Sequence, residues 1–214
     1  MTAGPEIVPL FATPLVTLDV PEAAALNVEL RQVIEQREKS QPTTHHTNMG
    51  GWQSSWDMDK WGGVPAIKLL AFGRNLANRM TTDVEGNTGK GPYPGHFAVT
   101  WIGNMWANIN RNGDGNGFHS HPGAYWSGVY YVDDGGIDAD PALGGELEFL
   151  DPRGPLAMMN APHLRMAGAL TAGATERLRP KAGRMVIFPA WLMHQVLPYR
   201  GRRERISIAF NLCV

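Results

Sequence analysis

The sequence predicts a mainly β fold with some α structure, an antiparallel sandwich, jelly roll or barrel preceded by two covering helices. Two observations support this fold class. Apolar residues recur at helical spacing in the first part of the chain, whereas short segments of β-branched and aromatic residues make up the second part. We therefore expect a single domain with a helical front part over 1–95 and a β-rich core over 96–214.

Two segments of the front part carry a helical pattern. The first covers 21–39 and begins with Pro21 and Glu22, which suit the first turn of a helix. The second begins near Pro65. The apolar positions of the first helix are Leu26, Leu30, Val33 and Ile34, and those of the second are Ile67, Leu70, Leu76 and Met80. A loop over 85–95, dense in Gly and Pro, is expected to close the front part.

Five segments of the second part predict strands. They are rich in β-branched and aromatic residues, and Gly, Pro, Asn and Asp bound them. No helical period of useful length interrupts them. The segments cover 97–110, 126–132, 144–150, 183–189 and 204–214. Many short strands with turn signals between them are typical of an antiparallel fold, and the two helices are expected to cover one sheet face.

The composition argues against several kinds of partner and location. A formal net charge of -1 without blocks of like charge gives no electrostatic reason to expect nucleic acid or an anionic membrane. Cys213 is the single cysteine, so an intramolecular disulfide is impossible and a reducing compartment is expected. No apolar run approaches membrane-spanning length, and the first residues do not resemble a signal peptide. We expect a soluble, cytoplasmic protein.

Two histidines two residues apart indicate a metal site. His119 and His121 lie in a Gly-rich stretch, and side chains at positions i and i+2 of an extended segment point to the same side. His194, which follows a predicted strand, can supply a third imidazole. Neutral imidazole is a common ligand for zinc, iron, copper and nickel. The alternative is that these histidines are ordinary polar residues at a loop edge, but their combination in one β-rich part favours a metal.

An arginine on the last predicted strand indicates a bound carboxylate. Arg205 opens an apolar strand, and Ser207 lies two residues on, on the same face. A guanidinium can bind a carboxylate through two hydrogen bonds, and a hydroxyl can add a third donor. Because Arg205 follows His194 closely in the chain, we expect the two sites to be neighbours across a hairpin. The alternative is that Arg205 only flanks the Arg-rich turn before it.

These residues and their neighbours resemble the Fe(II)- and 2-oxoglutarate-dependent oxygenases, most closely a bacterial branch related to the prolyl-4-hydroxylases. The similarity covers nearly the whole chain, through PLFATPL, NMGGWQS, HSHPGAYWSGVYYV, GGELEFLDPR, PKAGRMVIFPAWLMHQV and RISIAFN. It implies a double-stranded β-helix, which is a jelly roll preceded by helices. It also implies Fe(II) as the metal, 2-oxoglutarate as the cosubstrate, and hydroxylation of a substrate with release of succinate and carbon dioxide.

The resemblance implies a role for each of these residues. His119 matches the first ligand of the family's HxD…H pattern, and His194 matches the distal ligand. Arg205 matches the residue that binds the distal carboxylate of 2-oxoglutarate, with Ser207 as its helper. The chain departs from the pattern at His121, where the family usually has Asp, and we expect a site of three histidines. The alternative carboxylate ligands are Glu146, Glu148 and Asp114.

Further expectations concern the walls of the pocket. Asn108 is a candidate to hydrogen-bond the cosubstrate, and Tyr130 is a candidate hydroxyl donor to it. Trp106 shares a face with Asn108 and either walls the pocket or packs in the sheet. The tryptophans of the polar connection form either a substrate lip or packing against the jelly roll, and they are Trp52, Trp56 and Trp61. The neighbouring His45 and His46 are expected at the surface.

Two other functions fit parts of this pattern. A cupin-type metal enzyme would use His119, His121 and His194 but neither 2-oxoglutarate nor Arg205. A non-enzymatic jelly-roll binding module would use the histidines as polar lining without a metal. The convergence of three histidines and one arginine favours the oxygenase. The expected substrate is a small molecule or a peptide that the sequence does not identify.

Overall fold

A computed structural model of the chain describes residues 11–88, 99–154 and 175–214. Within these ranges lie three α-helices, α1 (Ala23–Ser40), α2 (Met58–Trp61) and α3 (Gly63–Met80), and a 3₁₀ turn at Pro141–Leu143. The strands are β1 (Val16–Asp19), β2 (Asn48–Met49), β3 (Trp52–Gln53), β4 (Ile102–Asn110), β5 (Gly115–His119), β6 (Trp126–Asp133), β7 (Leu147–Leu150), β8 (Thr175–Leu178), β9 (Arg184–Pro189), β10 (His194–Val196) and β11 (Arg205–Cys213).

The strands form two antiparallel sheets that enclose a common cavity, as expected for a double-stranded β-helix. The first sheet has the order β1-β9-β6-β11-β4-β3, and the second has the order β2-β5-β10-β7-β8. From β4 onward the chain changes sheet at almost every strand, which is the winding of a jelly roll. Side chains of both sheets line the cavity between them. The fold class predicted from the sequence is therefore confirmed.

The strand β11 divides its side chains between the two faces of the first sheet. Ile206, Ile208 and Phe210 are fully buried in the main apolar core. Arg205 and Ser207 alternate with them and line the cavity on the other face. This follows from the two-residue side-chain period of a strand, which sends successive residues to opposite faces. The central position of β11, between β4 and β6, makes this alternation the organising feature of the sheet.

Helices α1 and α3 cover the outer face of the first sheet. Leu30 and Ile34 of α1 and Leu69 and Leu70 of α3 belong to the same buried cluster as Ile208. The helix α1 begins at Ala23 because Glu22 adopts a left-handed backbone conformation, with φ of 55°, which ends the turn before it. Pro21 thus precedes the helix rather than opening it. The predicted covering helices are confirmed with this shift of the first boundary.

The front part contributes more than helices to the fold. The strand β1 pairs with β9, β3 pairs with β4, and β2 pairs with β5 in the other sheet. These three strands have two to four residues each, too few for a period to stand out in the sequence. Residues 89–98 of the predicted loop and strand lie outside the described residues. In the described ranges, no helix combines the length and apolar character needed to span a membrane.

The ring of Phe210 joins α3 to the sheet and provides a test of this packing. A Cβ atom at Gly128 of β6 would overlap the Phe210 ring, and a Cβ atom at Gly73 of α3 would lie 2.9 Å from its Cε2 atom. We expect Gly128→Ala to lower the free energy of unfolding by about 1–3 kcal/mol, because the overpacked ring must leave its position. Urea denaturation measures this loss.

Phe210→Leu serves as the matched control for this substitution. The smaller side chain relieves the overlap at position 128, so the double variant should lose less stability than the sum of the two single variants. Strictly additive losses would show that the ring is not held against Gly128.

Candidate metal centre

Three histidines converge at one end of the cavity. His119 is the last residue of β5, His121 follows two residues later, and His194 opens β10. One ligand atom from each ring lies within 4.8 Å of the others. The ring centroids are 5.0 Å apart for His119 and His121, 4.3 Å for His119 and His194, and 5.2 Å for His121 and His194. This spacing brings three imidazole nitrogens to one point, as a metal ion requires.

Backbone pairing brings these residues together. The antiparallel register of β10 and β5 places His194 opposite His119. His121 is positioned by a hydrogen bond from its backbone N–H to the carbonyl oxygen of Ala190, 2.9 Å away. Residues 115–119 of the Gly-rich stretch around His119 form a strand. The extended segment assumed for the two histidines thus belongs to the second sheet as far as His119, and His121 follows after the strand has ended.

Backbone carbonyls orient two of the three rings. The Nδ1 atom of His119 lies 2.7 Å from the carbonyl oxygen of Gly117, and the Nδ1 atom of His194 lies 2.8 Å from that of Leu192. A carbonyl oxygen can only accept, so in each ring Nδ1 carries the proton and donates it. The Nε2 atoms of His119 and His194 are then unprotonated, with a lone pair available to a metal.

Burial keeps the three imidazoles neutral. It lowers the pKa of His119, and burial followed by repulsion from His119 lowers the pKa of His121 to about 4. The pKa of His194 falls to about 3 for the same two reasons, burial being the larger. Metal ions bind the neutral imidazole, so these shifts remove proton competition at neutral pH.

Carboxylates do not belong to this group of ligands in the described parts of the chain. Glu148 pairs with Gln195 across the strands, so it lies on the face opposite to His194. Its carboxylate accepts hydrogen bonds from Thr175, Arg177 and Gln195. Asp114 accepts a hydrogen bond from the backbone N–H of Arg111. The structure therefore favours His121 as the third ligand over the carboxylates.

Arg205 lies buried at the other end of the cavity. Its Nη1 atom donates to Asn110 Oδ1 at 3.0 Å and to Ser207 Oγ at 3.2 Å, and its Nε atom donates to the carbonyl oxygen of Gly145 at 3.2 Å. Its side chain makes no ion pair with a carboxylate among the described residues. Burial consequently lowers the pKa of this guanidinium. A buried cation held by neutral groups is a site suited to an anion.

One cavity connects Arg205 to the histidines. It has a volume of about 260 Å³, and the three histidines, Arg205 and Ser207 all line it. The expected proximity of Arg205 to the three histidines is present, but its expected cause was wrong. The strand β10 belongs to the second sheet and β11 to the first, so the two sites face each other across the cavity and not across a hairpin.

Tyr130 does not line the cavity, so its expected role at the cosubstrate is wrong. It belongs to the core under the helices, where its hydroxyl donates to Asn27 Oδ1 at 2.6 Å and burial raises its pKa to about 12. The next residue, Tyr131, lines the cavity, and its ring lies 5.3 Å from the guanidinium carbon of Arg205. Its buried hydroxyl makes no hydrogen bond of good geometry among the described residues, although Arg205 lies close enough to interact with it.

The sequence contains one signal that distinguishes the two tyrosines. Side chains of a strand alternate, and Tyr131 shares its face with Val129, which also lines the cavity. That signal becomes useful only once the face of one residue of β6 is known. Burial raises the pKa of Tyr131 as well, so its hydroxyl keeps its proton and remains a donor.

Asn108 and Trp106 both line the cavity, in agreement with the alternation of β4. The tryptophans of the connection differ from one another. Trp52 is buried and donates its ring N–H to the carbonyl oxygen of Gln41, whereas Trp61 lies beneath the guanidinium of Arg37. Trp56 is 44% exposed and lines the cavity. One of the three is therefore placed to contact a substrate.

His46 was expected at the surface without a partner. It is exposed, but its ring lies against that of Trp56, with 4.7 Å between the ring centroids and an angle of 36° between the planes. It also lines the cavity. The sequence could not reveal this contact because the two residues are brought together by the irregular path of the chain around β2 and β3.

The family model described as "Putative 2OG-Fe(II) oxygenase" matches residues 104–211, slightly more than half of the chain. This stretch contains the three histidines, Arg205 and Ser207. The chain belongs to this family of 2-oxoglutarate- and Fe(II)-dependent oxygenases. It is an enzyme with Fe(II) as metal and 2-oxoglutarate as cosubstrate, which sets aside both the cupin and the binding-module hypotheses. Among curated proteins, no sequence matches the chain.

Solved structures share the fold at low sequence identity. A prolyl-4-hydroxylase from Pseudomonas putida is 16% identical, with a TM-score of 0.63 over 94% of this chain and 92% of that chain. A prolyl hydroxylase from Trichoplax adhaerens, solved with a peptide fragment of hypoxia inducible factor, is 14% identical, with a TM-score of 0.62 over 93% and 83%. HygX from Streptomyces hygroscopicus, solved with nickel and 2-oxoglutarate, is 12% identical, with a TM-score of 0.57 over 94% and 83%.

The metal-free protein should lose stability as the pH falls from 7.5 to 5. His194 has a folded-state pKa of about 3, so only the unfolded chain binds this proton near pH 5. This single group should cost about 1–2 kcal/mol over that interval, because its unfolded pKa is about 6.5. Urea denaturation of wild type and His194→Gln at the two pH values measures the difference in slope.

The variant should lose less stability than wild type over this interval. His45→Gln, at an exposed histidine, is the matched control and should keep the wild-type slope. Equal slopes for His194→Gln and wild type would contradict the neutral, buried state of His194.

Proposed function

We propose that His119, His121 and His194 hold the catalytic Fe(II) and that Arg205 and Ser207 bind the distal carboxylate of 2-oxoglutarate. One observation carries this proposal: three neutral imidazoles and a buried arginine without a counter-ion line the two ends of one cavity. A dicarboxylate whose other end chelates the metal would neutralise that arginine. The reaction proposed is the hydroxylation of a substrate, with release of succinate and carbon dioxide.

The order of side chains along the strands supports this orientation of the cosubstrate. In the register of β4 and β11, Arg205 is paired with Asn110 and Ser207 with Asn108. One step further along the same face, Trp106 lies beside His121, with 5.7 Å between the ring centroids. Two residues of a strand span about 7 Å. Asn108 is thus placed between the arginine and the metal, where its amide can hydrogen-bond the chelating end of 2-oxoglutarate.

Tyr131 takes the role that the sequence suggested for Tyr130. Its hydroxyl is protonated, buried and without a hydrogen bond of good geometry among the described residues, and Arg205 is adjacent. A carboxylate held by Arg205 and Ser207 can accept this third hydrogen bond. Leaving a buried hydroxyl without a partner costs about 1–3 kcal/mol. The cosubstrate would remove this cost, so the site is arranged for an occupied state.

The protein's contribution to the reaction is to hold and shield the reactants. Iron with 2-oxoglutarate supplies the oxidising chemistry, in which one atom of dioxygen enters succinate and the other enters the substrate. With three histidine ligands, the metal would keep open positions for ligands that the protein does not supply. Arg205 and Tyr131 fix the cosubstrate from the closed end of the cavity, so that water is excluded there. None of these steps requires a protein acid or base.

We also propose that the chain acts as a single oxygenase domain. The front part supplies β1 and β3 to the first sheet and β2 to the second. Its residues His46 and Trp56 line the cavity together with residues of the β-rich core. The substrate is a peptide or a small molecule, since one structural neighbour was solved with a peptide.

Anaerobic spectroscopy tests the metal and cosubstrate sites together. Fe(II) and 2-oxoglutarate added to the protein should produce the visible charge-transfer band of the chelate. Arg205→Ala should weaken 2-oxoglutarate binding by at least about tenfold, because a charge-assisted contact worth about 1.5–3 kcal/mol is lost. Titration of the band measures this affinity, and succinate release measures turnover.

Ser207→Ala is the milder companion variant, because it removes one hydroxyl and leaves the guanidinium in place. It should weaken 2-oxoglutarate less than Arg205→Ala, and circular dichroism should confirm that both variants fold. Unchanged affinity in folded Arg205→Ala would refute the proposed carboxylate site.

A substitution at His121 tests the three-histidine site. His121→Asp introduces the carboxylate that the family usually has, so the variant should still bind Fe(II) and give the charge-transfer band. His119→Ala removes a ligand without replacement and should lower iron affinity by at least about tenfold. Binding is measured by anaerobic titration with Fe(II). If His121→Asp and His121→Ala both bind iron as tightly as wild type, then His121 is not a ligand.

A further inference from the structure

Three aromatic rings form a continuous surface from the solvent to the metal centre. The ring of His46 lies 4.7 Å from that of Trp56, and Trp56 lies 5.5 Å from Trp106. Trp106 in turn lies 5.7 Å from His121, the proposed iron ligand. We call His46, Trp56 and Trp106 the aromatic shelf. Exposure along the shelf falls from 44% for Trp56 to 6% for Trp106, so the shelf descends into the cavity.

We propose that the aromatic shelf binds the substrate and selects an uncharged molecule or side chain that carries a flat ring. This inference rests on the proposed function, because it takes the metal centre as the place of reaction. The ring would stack on Trp56, and the atom to be hydroxylated would extend past Trp106 to the metal.

The contacts of the two neighbouring tryptophans leave Trp56 as the ring that is available to a ligand. Trp52 is buried and hydrogen-bonded to the backbone, and Trp61 packs beneath Arg37. Both have structural contacts that account for their positions. Trp56 keeps much of its ring exposed and turns it toward the cavity, although a large apolar surface is costly to leave in water. Stacking with a ligand ring would cover this surface, and aromatic pairs gain from such contacts.

The volume of the cavity indicates that the substrate extends beyond it. Pockets that enclose a drug-sized ligand have volumes of about 300–1,000 Å³. This cavity has about 260 Å³ and must also hold 2-oxoglutarate. Only the reacting part of a substrate can therefore enter, and the rest must lie at the mouth. The shelf forms that mouth, since it reaches from the metal centre to the half-exposed Trp56.

The charges of the site favour an uncharged ring. Among the described residues that line the cavity, Arg205 is the single side chain with a permanent charge, and no Asp, Glu or Lys is present. Arg205 pairs with Asn110, four residues from Trp106 along β4, a separation of about 13 Å. The positive charge that Arg205 leaves in the occupied site would attract an anionic ring. At the shelf, however, such a ring would have no cationic partner and would face the negative π surface of the tryptophans.

A cationic ring is disfavoured by the metal centre. Fe(II) and the two carboxylates of 2-oxoglutarate cancel in charge, and three neutral histidines add none, so Arg205 leaves the occupied site positive. The shelf contains no carboxylate to offset this charge among the described residues. The attraction of a cation to an aromatic face is thus opposed by the site itself.

Binding of four small probes tests the substrate class. Zn(II) with 2-oxoglutarate occupies the site without turnover, and ligand-observed NMR measures the affinities of benzamide, hexanamide, benzoate and benzylamine. Benzamide combines a flat ring with no charge and should bind at least about fivefold more tightly than each of the others. Equal affinity for hexanamide would overturn the requirement for a ring, and tighter binding of benzoate or benzylamine would overturn the requirement for neutrality.

Substitutions at Trp56 locate the binding surface. Trp56→Ala should weaken benzamide by at least about fivefold, whereas Trp56→Phe, which keeps a ring, should stay within about twofold of wild type. Ile67→Ala, at an exposed position of α3 that does not line the cavity, is the control and should bind like wild type. Benzamide binding that is unchanged in folded Trp56→Ala would overturn the proposal that the aromatic shelf binds the substrate.

The affinity for 2-oxoglutarate, measured on the same samples, separates the two proposals. It should be the same in wild type and Trp56→Ala, because Trp56 contacts Trp106, which lies about 13 Å along β4 from the residue paired with Arg205. Benzamide binding that depends on Trp56 in a protein that does not bind 2-oxoglutarate would support the shelf and refute the proposed function. Normal 2-oxoglutarate binding, with benzamide affinity unchanged in Trp56→Ala, would support the proposed function and refute the shelf.

Discussion

The alternation of side chains along β11 is the constraint on which the rest of the structure depends. Ile206, Ile208 and Phe210 face the helices, so Arg205 and Ser207 must face the cavity. A shift by one residue would bury the arginine among apolar side chains and expose the isoleucines to the polar cavity. The apolar core thus fixes the position of the polar site. The same logic in β6 sends Tyr130 to the core and Tyr131 to the cavity.

The groups placed in the cavity carry a cost that a ligand would remove. Arg205 is a buried cation without a counter-ion among the described residues, and the buried hydroxyl of Tyr131 makes no hydrogen bond of good geometry there. Burial also keeps the three histidines from gaining a proton. Each of these features opposes folding of the ligand-free protein. Each also strengthens binding, because a metal needs neutral imidazoles and a carboxylate needs a desolvated donor. The apolar core on the other sheet face offsets this cost.

Local patterns in the sequence were enough to predict the main elements and the central residues of the candidate site. The covering helices followed from their apolar periodicity, and the pairs His119–His121 and Arg205–Ser207 followed from the two-residue period of extended chain. What failed depended on long-range pairing. The hairpin between His194 and Arg205 was wrong because the chain crosses between sheets there. The sequence does not distinguish Tyr130 from Tyr131, because the faces of two adjacent strand residues are known only once the position of the strand in the sheet is known.

The third histidine connects the departure from the family pattern to the substrate surface. An imidazole is larger than a carboxylate, and the ring of His121 reaches Trp106 with a centroid distance of 5.7 Å. A carboxylate in its place would be too short for this contact and would add a negative charge to the metal centre. With histidine, the wall from the metal to the solvent is aromatic without interruption, and the centre is more positive by one charge. The aromatic wall favours a flat ring, and the added positive charge disfavours a cationic one, so one residue influences the charge of the metal centre and the character of its entrance.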